Sequence, residues 1–349
     1  MIITDLDPKH GACSLIVESS EDLWTLRRLI AKGDTVVTRS SRVVKREDEF
    51  SRPDKGERVS VTVALIVEEV HLDSSIERVR VKGTISESSD ETITKVGSHS
   101  VTLTAGHPVT IRKEKWSPLD TKLVRPSEEG QSYILVTADR REAGVGTLRG
   151  SHLSVVSALE SGLGGKGSDE ESSKPFMSKV VALVGQSYRK GDIVVVAGPG
   201  SLKNALANQI RSGVSPEVRI LEGFDLTGSD GIRAMVRSPE FQKVASGSVM
   251  VELQKVVEEF VKRVAIGDPK VAYTLSKVAP LAHSGVVEAC AISDDVFSTG
   301  VDEQSVVDTL NQVESKGGIV YLADSSLELG KQVSSFGGIV ALLRYAVRS

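Results

Sequence analysis

The stretch DIVVVAGPGSLKNALANQIRS, residues 192–212, reads as a buried strand, a tight turn and a helix in succession. Ile193 to Ala197 form an unbroken apolar run, the pattern of a strand covered on both faces. Gly198-Pro199-Gly200 interrupt it, and the residues that follow suit a helix. Strand, turn and helix in that order form the repeating unit of an α/β sheet. Upstream, YILVTA (133–138) is a second run of the same kind. Downstream, VRILEG (218–223) and GSDGIRAMVRS (228–238) continue the alternation as strand and helix. The expectation is a β/α body with a largely parallel sheet. LSVVSALESG (153–162) reads within it as a helix or short amphipathic element.

Working outward, the N-terminal third has a different texture. DTVVTRSSRVVKR (34–46), RVSVTVALIVEEVHLD (58–73), RVRVKGTISES (78–88) and HSVTLTAGHPVTIRKEK (99–115) are rich in Val, Ile and Thr and partly alternate, so they read as strands. One helix interrupts them at 19–34. Ser19 or Ser20 can cap it, Asp22 stands three residues after Ser19, Leu23, Leu26 and Ile30 share a face, and Gly33 ends it. A β-barrel-like unit with one appended helix is the economical reading. SPLDTKLVRPSEEGQ (117–131) has the look of a linker. The C-terminal third opens on a strong helix, SVMVELQKVVEEFVKRVAIG (248–267), and alternates helices and strands to the end as a separate α/β sandwich. The expected division is 1–126, 127–244 and 245–349, three units being reasonable for 349 residues.

Apolar residues make up 40% and charged residues 26%, an ordinary globular balance without any run long enough to span a bilayer. With no signal-peptide pattern and only Cys13 and Cys290, a reducing cytoplasm is the expected home, and a disulfide framework or cysteine-rich zinc site is excluded. The net charge of −4 argues against a protein that simply coats nucleic acid. The excess acid falls in the last third, with 9 basic against 13 acidic residues, whereas the first third holds 20 of each. A nucleic-acid contact would therefore come from local clusters.

Two clusters qualify. Arg39, Arg42, Lys45 and Arg46 surround Ser40-Ser41. If that serine pair tops a hairpin, its guanidinium groups project towards phosphates; a solvated hairpin is the plainer alternative. Arg140, Arg141 and Arg149 follow the first strand of the central unit, at the strand end where α/β sheets place their contacts. Gly198-Pro199-Gly200 end a neighbouring strand and either present N–H groups to an anion or partner or simply make a tight turn. Glu21 and Asp22 are adjacent carboxylates that either hold a divalent cation or complement the helix dipole. The histidines are scattered, with no metal-ligand spacing, and no nucleophile-elbow motif occurs. In ESGLGGKGSDEESSKP (160–175), Gly165-Lys166 is followed by Gly167 where a P-loop needs Ser or Thr. The segment therefore reads as a polar loop.

The order of these pieces resembles the Pelota family in its archaeal form. The resemblance rests on EDLWTLRRLIAKGD (21–34), AGPG (197–200), KVAYTLSKVAPLAHSGVVEACAISDDVF (270–297), SKGGIVYLADSS (315–326) and SSFGGIVALLRY (334–345). It implies an Sm-like β-barrel first domain followed by two α/β domains resembling those of class-1 release factors. It further implies entry into the A site of stalled ribosomes with a GTPase of the elongation-factor-one-alpha family. An ABC-class recycling ATPase then acts, leading to subunit dissociation and mRNA quality control (no-go decay). On this resemblance Arg39, Ser40, Ser41, Arg42 and Lys45 fall where the family contacts RNA. Arg140, Arg141, Gly198, Pro199 and Gly200 fall on the GTPase side. A monomer without cofactor suffices for docking. The alternative is a metal-dependent endoribonuclease in the first domain, using Mg or Mn with Glu21 and Asp22 as the catalytic candidates. Release factors hydrolyse peptidyl-tRNA with a Gly-Gly-Gln tip, and here Gly164-Gly165 is followed by Lys166. A lysine ammonium has no acceptor and cannot orient water as a glutamine amide does. Ser201 likewise replaces the family's usual aromatic residue.

Overall fold

The computed structural model describes residues 1–7, 11–44, 57–73, 77–89, 98–124, 131–161, 174–214 and 216–347, and the side chains of 41–44, 57–59, 214 and 298–299 are not described. Its described strands form three sheets.

The first sheet holds β1 (Ile2–Asp7), β2 (Ala12–Ile16), β3 (Thr35–Val44), β4 (Glu57–Asp73), β5 (Arg78–Ser88), β6 (Ser98–Leu103) and β7 (Pro108–Arg112). Their order is β1-β2-β7-β3-β4-β5-β6, with every pairing antiparallel. Period-two alternation puts Val79, Val81 and Ile85 of β5 inside and their neighbours outside. The apolar side packs on helix α1 (Ser20–Leu29), which buries Leu23, Leu26 and Leu29. The segment 99–115 is two strands joined by a turn in which the His107 N–H donates to the Thr104 carbonyl (3.1 Å). That short turn carries the chain from β6 to β7, which lie four strand positions apart. Across a flat sheet four positions span ~19 Å at ~4.8 Å per strand. A turned segment cannot bridge that distance, so the sheet curls.

Two expectations fail here. Ser40-Ser41 does not top a hairpin: β3 runs straight through it, in unbroken register with β4 from Thr35↔Ile66 to Val44↔Glu57. Neither serine supplies the left-handed backbone that a tight hairpin turn needs, and β-branched residues on both sides favour extension. The presumed linker holds a helix, α2 (Pro118–Val124), with Pro118 in its first turn and Val124 buried.

The second sheet runs β10-β9-β8-β11-β12, where β8 is Tyr133–Ala138, β9 Glu142–Arg149, β10 His152–Glu160, β11 Ile193–Ala197 and β12 Glu217–Ile220. One face, with Ile134, Val136, Val194 and Val196, packs against α3 (Lys174–Ser187) and α4 (Leu202–Val214). The other, with Leu135 and Val195, meets α5 (Gly228–Arg237) and Phe241 of α6 (Pro239–Val244). Residues 153–160, expected as a helix or short amphipathic element, belong to strand β10. Its buried and exposed positions follow the strand period, and it pairs antiparallel with β9. The sheet is accordingly mixed: β8–β11 and β11–β12 pair in parallel, whereas β8–β9 and β9–β10 pair antiparallel because short turns join them.

The third sheet runs β13-β16-β14-β15, from Val271–Tyr273, Ile339–Leu343, Val287–Ser293 and Ile319–Ala323 respectively. Around it lie α7 (Val249–Ala265), α8 (Leu275–His283), α9 (Glu303–Ser315) and α10 (Glu328–Ser335). One buried apolar cluster is shared by the first and third sheets, and Trp24 stacks on Phe297 at 4.9 Å across that contact. A second cluster joins Leu135, Val195 and Phe241 to Met250, Val257 and Phe260. No helix among the described residues is long and apolar enough to cross a membrane.

Candidate functional site

The carboxyl ends of β8 and β11 lie side by side, with Thr137 opposite Ala197. Beyond β8, Asp139 Oδ1 accepts from the N–H groups of Arg141 and Glu142 at 2.7 Å each, and this turn lifts Arg140 and Arg141 into solvent. Beyond β11, Gly198 is buried with φ of 137°, its N–H on the Phe224 carbonyl at 3.2 Å. Gly200 takes φ of 69° before α4 begins. The loop after β12 closes the third side: Thr137 Oγ1 donates to the Gly228 carbonyl (2.9 Å) and Thr227 Oγ1 to Glu142 (2.7 Å). Arg140, Arg141, Gly198, Pro199 and Gly200 are thus brought together on one sheet edge. That edge offers two exposed guanidinium groups beside a backbone turn.

Glu21 and Asp22 are directed to different partners. Ser19 caps α1, and Asp22 answers with its carboxylate on the Ser19 and Glu18 N–H groups at 3.1 and 2.7 Å, a complete capping box. Glu21 turns the other way. Its Oε1 accepts from the N–H and hydroxyl of Ser151, at 2.9 and 2.7 Å, in the turn between β9 and β10. Burial raises its pKa above the usual carboxylate value, and the Ser151 donors and His152 offset only part of that. Among the described residues, no group of three His, Cys, Asp or Glu side chains is placed to hold a metal ion.

Of the basic cluster on β3, Arg39 is exposed and Ser40 half-buried; Ser41 and Arg42 lie in the strand, and Lys45 falls outside the described residues. The segment GLGGKGSDEESS (162–173) also lies outside them.

The sequence reading missed the junction around Ser151. There His152 Nδ1 lies 3.2 Å from Asp324 Oδ2 at the end of β15, and the Ser151 hydroxyl also meets the Leu322 carbonyl. The Asp324 pair is the leading cause that raises the His152 pKa, against burial, which lowers it. Burial would raise the Asp324 carboxyl, but His152 and the Ser326 donors outweigh it and leave it below its usual value. These partners come from all three parts of the chain, so no local pattern announces them. Arg27 and Arg28 were likewise invisible as contacts. Arg27 pairs with Glu303 and donates to Gln304 (3.1 Å), while Arg28 pairs with Glu314 and donates to Asn311 (3.0 Å).

Residues 2–128 match the Pelota N-terminal domain and residues 250–347 match eRF1 domain 3. The protein pelota homolog of Nitrosopumilus maritimus is 34% identical over 100% of both chains. That of Cenarchaeum symbiosum is 34% identical over 99% of each. The crystal structure of Thermoplasma acidophilum Pelota shares the fold, with a TM-score of 0.63 over 99% of this chain and 100% of that one at 21% identity. With identity of this level extending from end to end, the chain belongs to the Pelota family.

Proposed function

We propose that this chain is a cytoplasmic ribosome rescue factor that works by docking. It enters the A site of stalled ribosomes with a GTPase of the elongation-factor-one-alpha family. With an ABC-class ATPase it promotes subunit dissociation, which feeds mRNA quality control of the no-go type. The observation that carries this reading is the full-length relationship to pelota homologs. The sheet edge bearing Arg140, Arg141 and Gly198–Gly200 suits the GTPase contact, since it pairs exposed cations with a stiff backbone turn. The exposed Arg39 on β3 suits an RNA contact shared with Ser40, Ser41, Arg42 and Lys45. The curling of the first sheet favours an Sm-like barrel there, and the central unit takes the place of the second release-factor domain. Lys166 after Gly164-Gly165 favours rescue without peptide release, because an ammonium lacks the acceptor that a glutamine amide supplies.

The test is capture of the GTPase by the full chain in the presence of a non-hydrolysable GTP analogue. Nucleotide-dependent capture is expected, weakened by replacing Arg140 and Arg141 with Ala. Absence of capture by the folded protein would overturn the reading.

A further inference from the structure

β15 ends the third sheet, and its outer edge pairs with no other described strand. The Ala323 carbonyl turns inward and accepts from the Asp294 N–H at 3.0 Å. Backbone groups alternate sides along a strand, so Val320 and Leu322 direct their N–H and C=O groups outward. The Ser151 hydroxyl takes one of these, the Leu322 carbonyl. The Val320 N–H and carbonyl and the Leu322 N–H stay open, beside a cavity of about 450 Å³ that the strand lines from Ile319 to Leu322. Backbone groups left unpaired at a buried space forfeit hydrogen bonds unless something else supplies them.

The rest of the wall is largely apolar, with Trp24, Leu123, Val249, Ile292, Leu310 and Tyr321 on it. Trp24 is 5% exposed and stacks on Phe297, and its Nε1–H has no acceptor among the described residues. A buried indole N–H normally finds one. At one end the Gly150–Ser151 turn closes on α1: Gly150 has φ of 58°, and a side chain there would begin 2.2 Å from the Glu21 carboxylate. The cations of the lining are already matched. Arg28 and Lys122 pair with Glu314, Arg189 pairs with Glu18 at 2.8 Å, and Arg149 donates to the Ser187 carbonyl at 3.1 Å. A phosphate would have to displace a carboxylate from these pairs, so the cavity suits a neutral guest. Its volume is that of a small-ligand site. A neighbouring cavity of about 50 Å³, lined by Glu77, His152, Asp294 and Asp324, has no room for one.

We propose that the larger cavity binds a neutral adenine-type base, its amino group donating to the Val320 carbonyl and its ring nitrogen accepting from the Leu322 N–H. An acceptor and a donor side by side on a strand edge complement the donor and acceptor on the pairing edge of that base. The flat ring fills the apolar space beside Trp24, and its other nitrogens or a ribose oxygen give the indole N–H an acceptor. Strand addition by a peptide is not accommodated, because the Ser151 hydroxyl occupies the edge at Leu322.

Calorimetric titration of the full chain with adenosine tests this, and one saturable site is expected. N6,N6-dimethyladenosine lacks the amino hydrogens and should bind about fivefold more weakly, the loss of one hydrogen bond. Trp24 and Trp116 are the two tryptophans, so in a Trp116→Phe background adenosine should change the Trp24 emission over the same concentration range. Ser132 lines the cavity, and Ser132→Trp should fill it and abolish binding; Val249→Trp fills it from the third part if the first variant does not fold by circular dichroism. Triadenylate separates the sources: stronger binding of it marks a base carried on an RNA strand, and stronger binding of adenosine a free nucleoside. No saturable binding at millimolar adenosine, equal affinity for the dimethyl analogue, or undiminished binding by a folded cavity-filling variant would each overturn the proposal.

Discussion

A methyl group at position 198 would sit 2.1 Å from the Ala138 carbonyl oxygen, closer than any real side chain approaches backbone. The residue also holds φ of 137°, a conformation that costs non-glycine residues about 1–3 kcal/mol. Gly198→Ala is expected to lower stability by at least that order and to displace Pro199 and Gly200, which denaturant unfolding and loss of GTPase capture would register. Gly198 was legible in advance because it ends an apolar run in a Gly-Pro-Gly turn. Gly150 was not. Its requirement comes from a carboxylate 129 positions earlier in the chain, and nothing in the neighbouring residues signals that approach. Glu21 illustrates the same limit: adjacent acids at a helix start are visible, but their separate partners depend on which body the helix meets.

The elements show a similar division. Long helices with a clear face, such as α7 and α9, and unbroken apolar strands, such as β8 and β11, could be read directly because burial imposes their periodicity. The turn at Ser40-Ser41 and strand β10 were misread because short residues carried the signal: serine pairs suit a turn, and mixed Ser and Val suit either a helix or a strand until a neighbour pairs with them. The His152–Asp324 contact between β10 and the third sheet also has a pH signature. His152 is raised above 6.5 by Asp324, so its stabilising contribution is complete below that value and is lost as pH climbs through the raised one. Glu21 is raised as well and acts with the same sign from 4.5 upward, whereas Asp324 is lowered and loses its contribution only as pH falls below 3.8. Two other acids, Glu21 and Glu77, raise His152 in the same direction, and Asp294 lines the same small cavity. Raising pH from below 6.5 into the alkaline range should therefore lower the unfolding midpoint, and His152→Gln should flatten that slope. An equal slope in both proteins would remove His152 as its source.

At the scale of the molecule, three sheets are welded in pairs by apolar cores and by the Arg27 and Arg28 pairs, with the third part as the common partner. The alternation of strands and helices was enough to expect three units. How they pack was not readable, since Arg27 and Glu303 lie 276 positions apart and interfaces built from single residues leave no periodic trace. Such a molecule is proposed to free stalled ribosomes by fitting them, with no hydrolysis of its own. The most direct measurement supplies stalled ribosomes carrying labelled peptidyl-tRNA with this chain, its GTPase and the ABC-class ATPase, then separates subunits by sedimentation. Nucleotide-dependent splitting is expected, with the peptide still joined to tRNA. Ribosomes that stay whole, or peptide released free of tRNA by this chain, would contradict it.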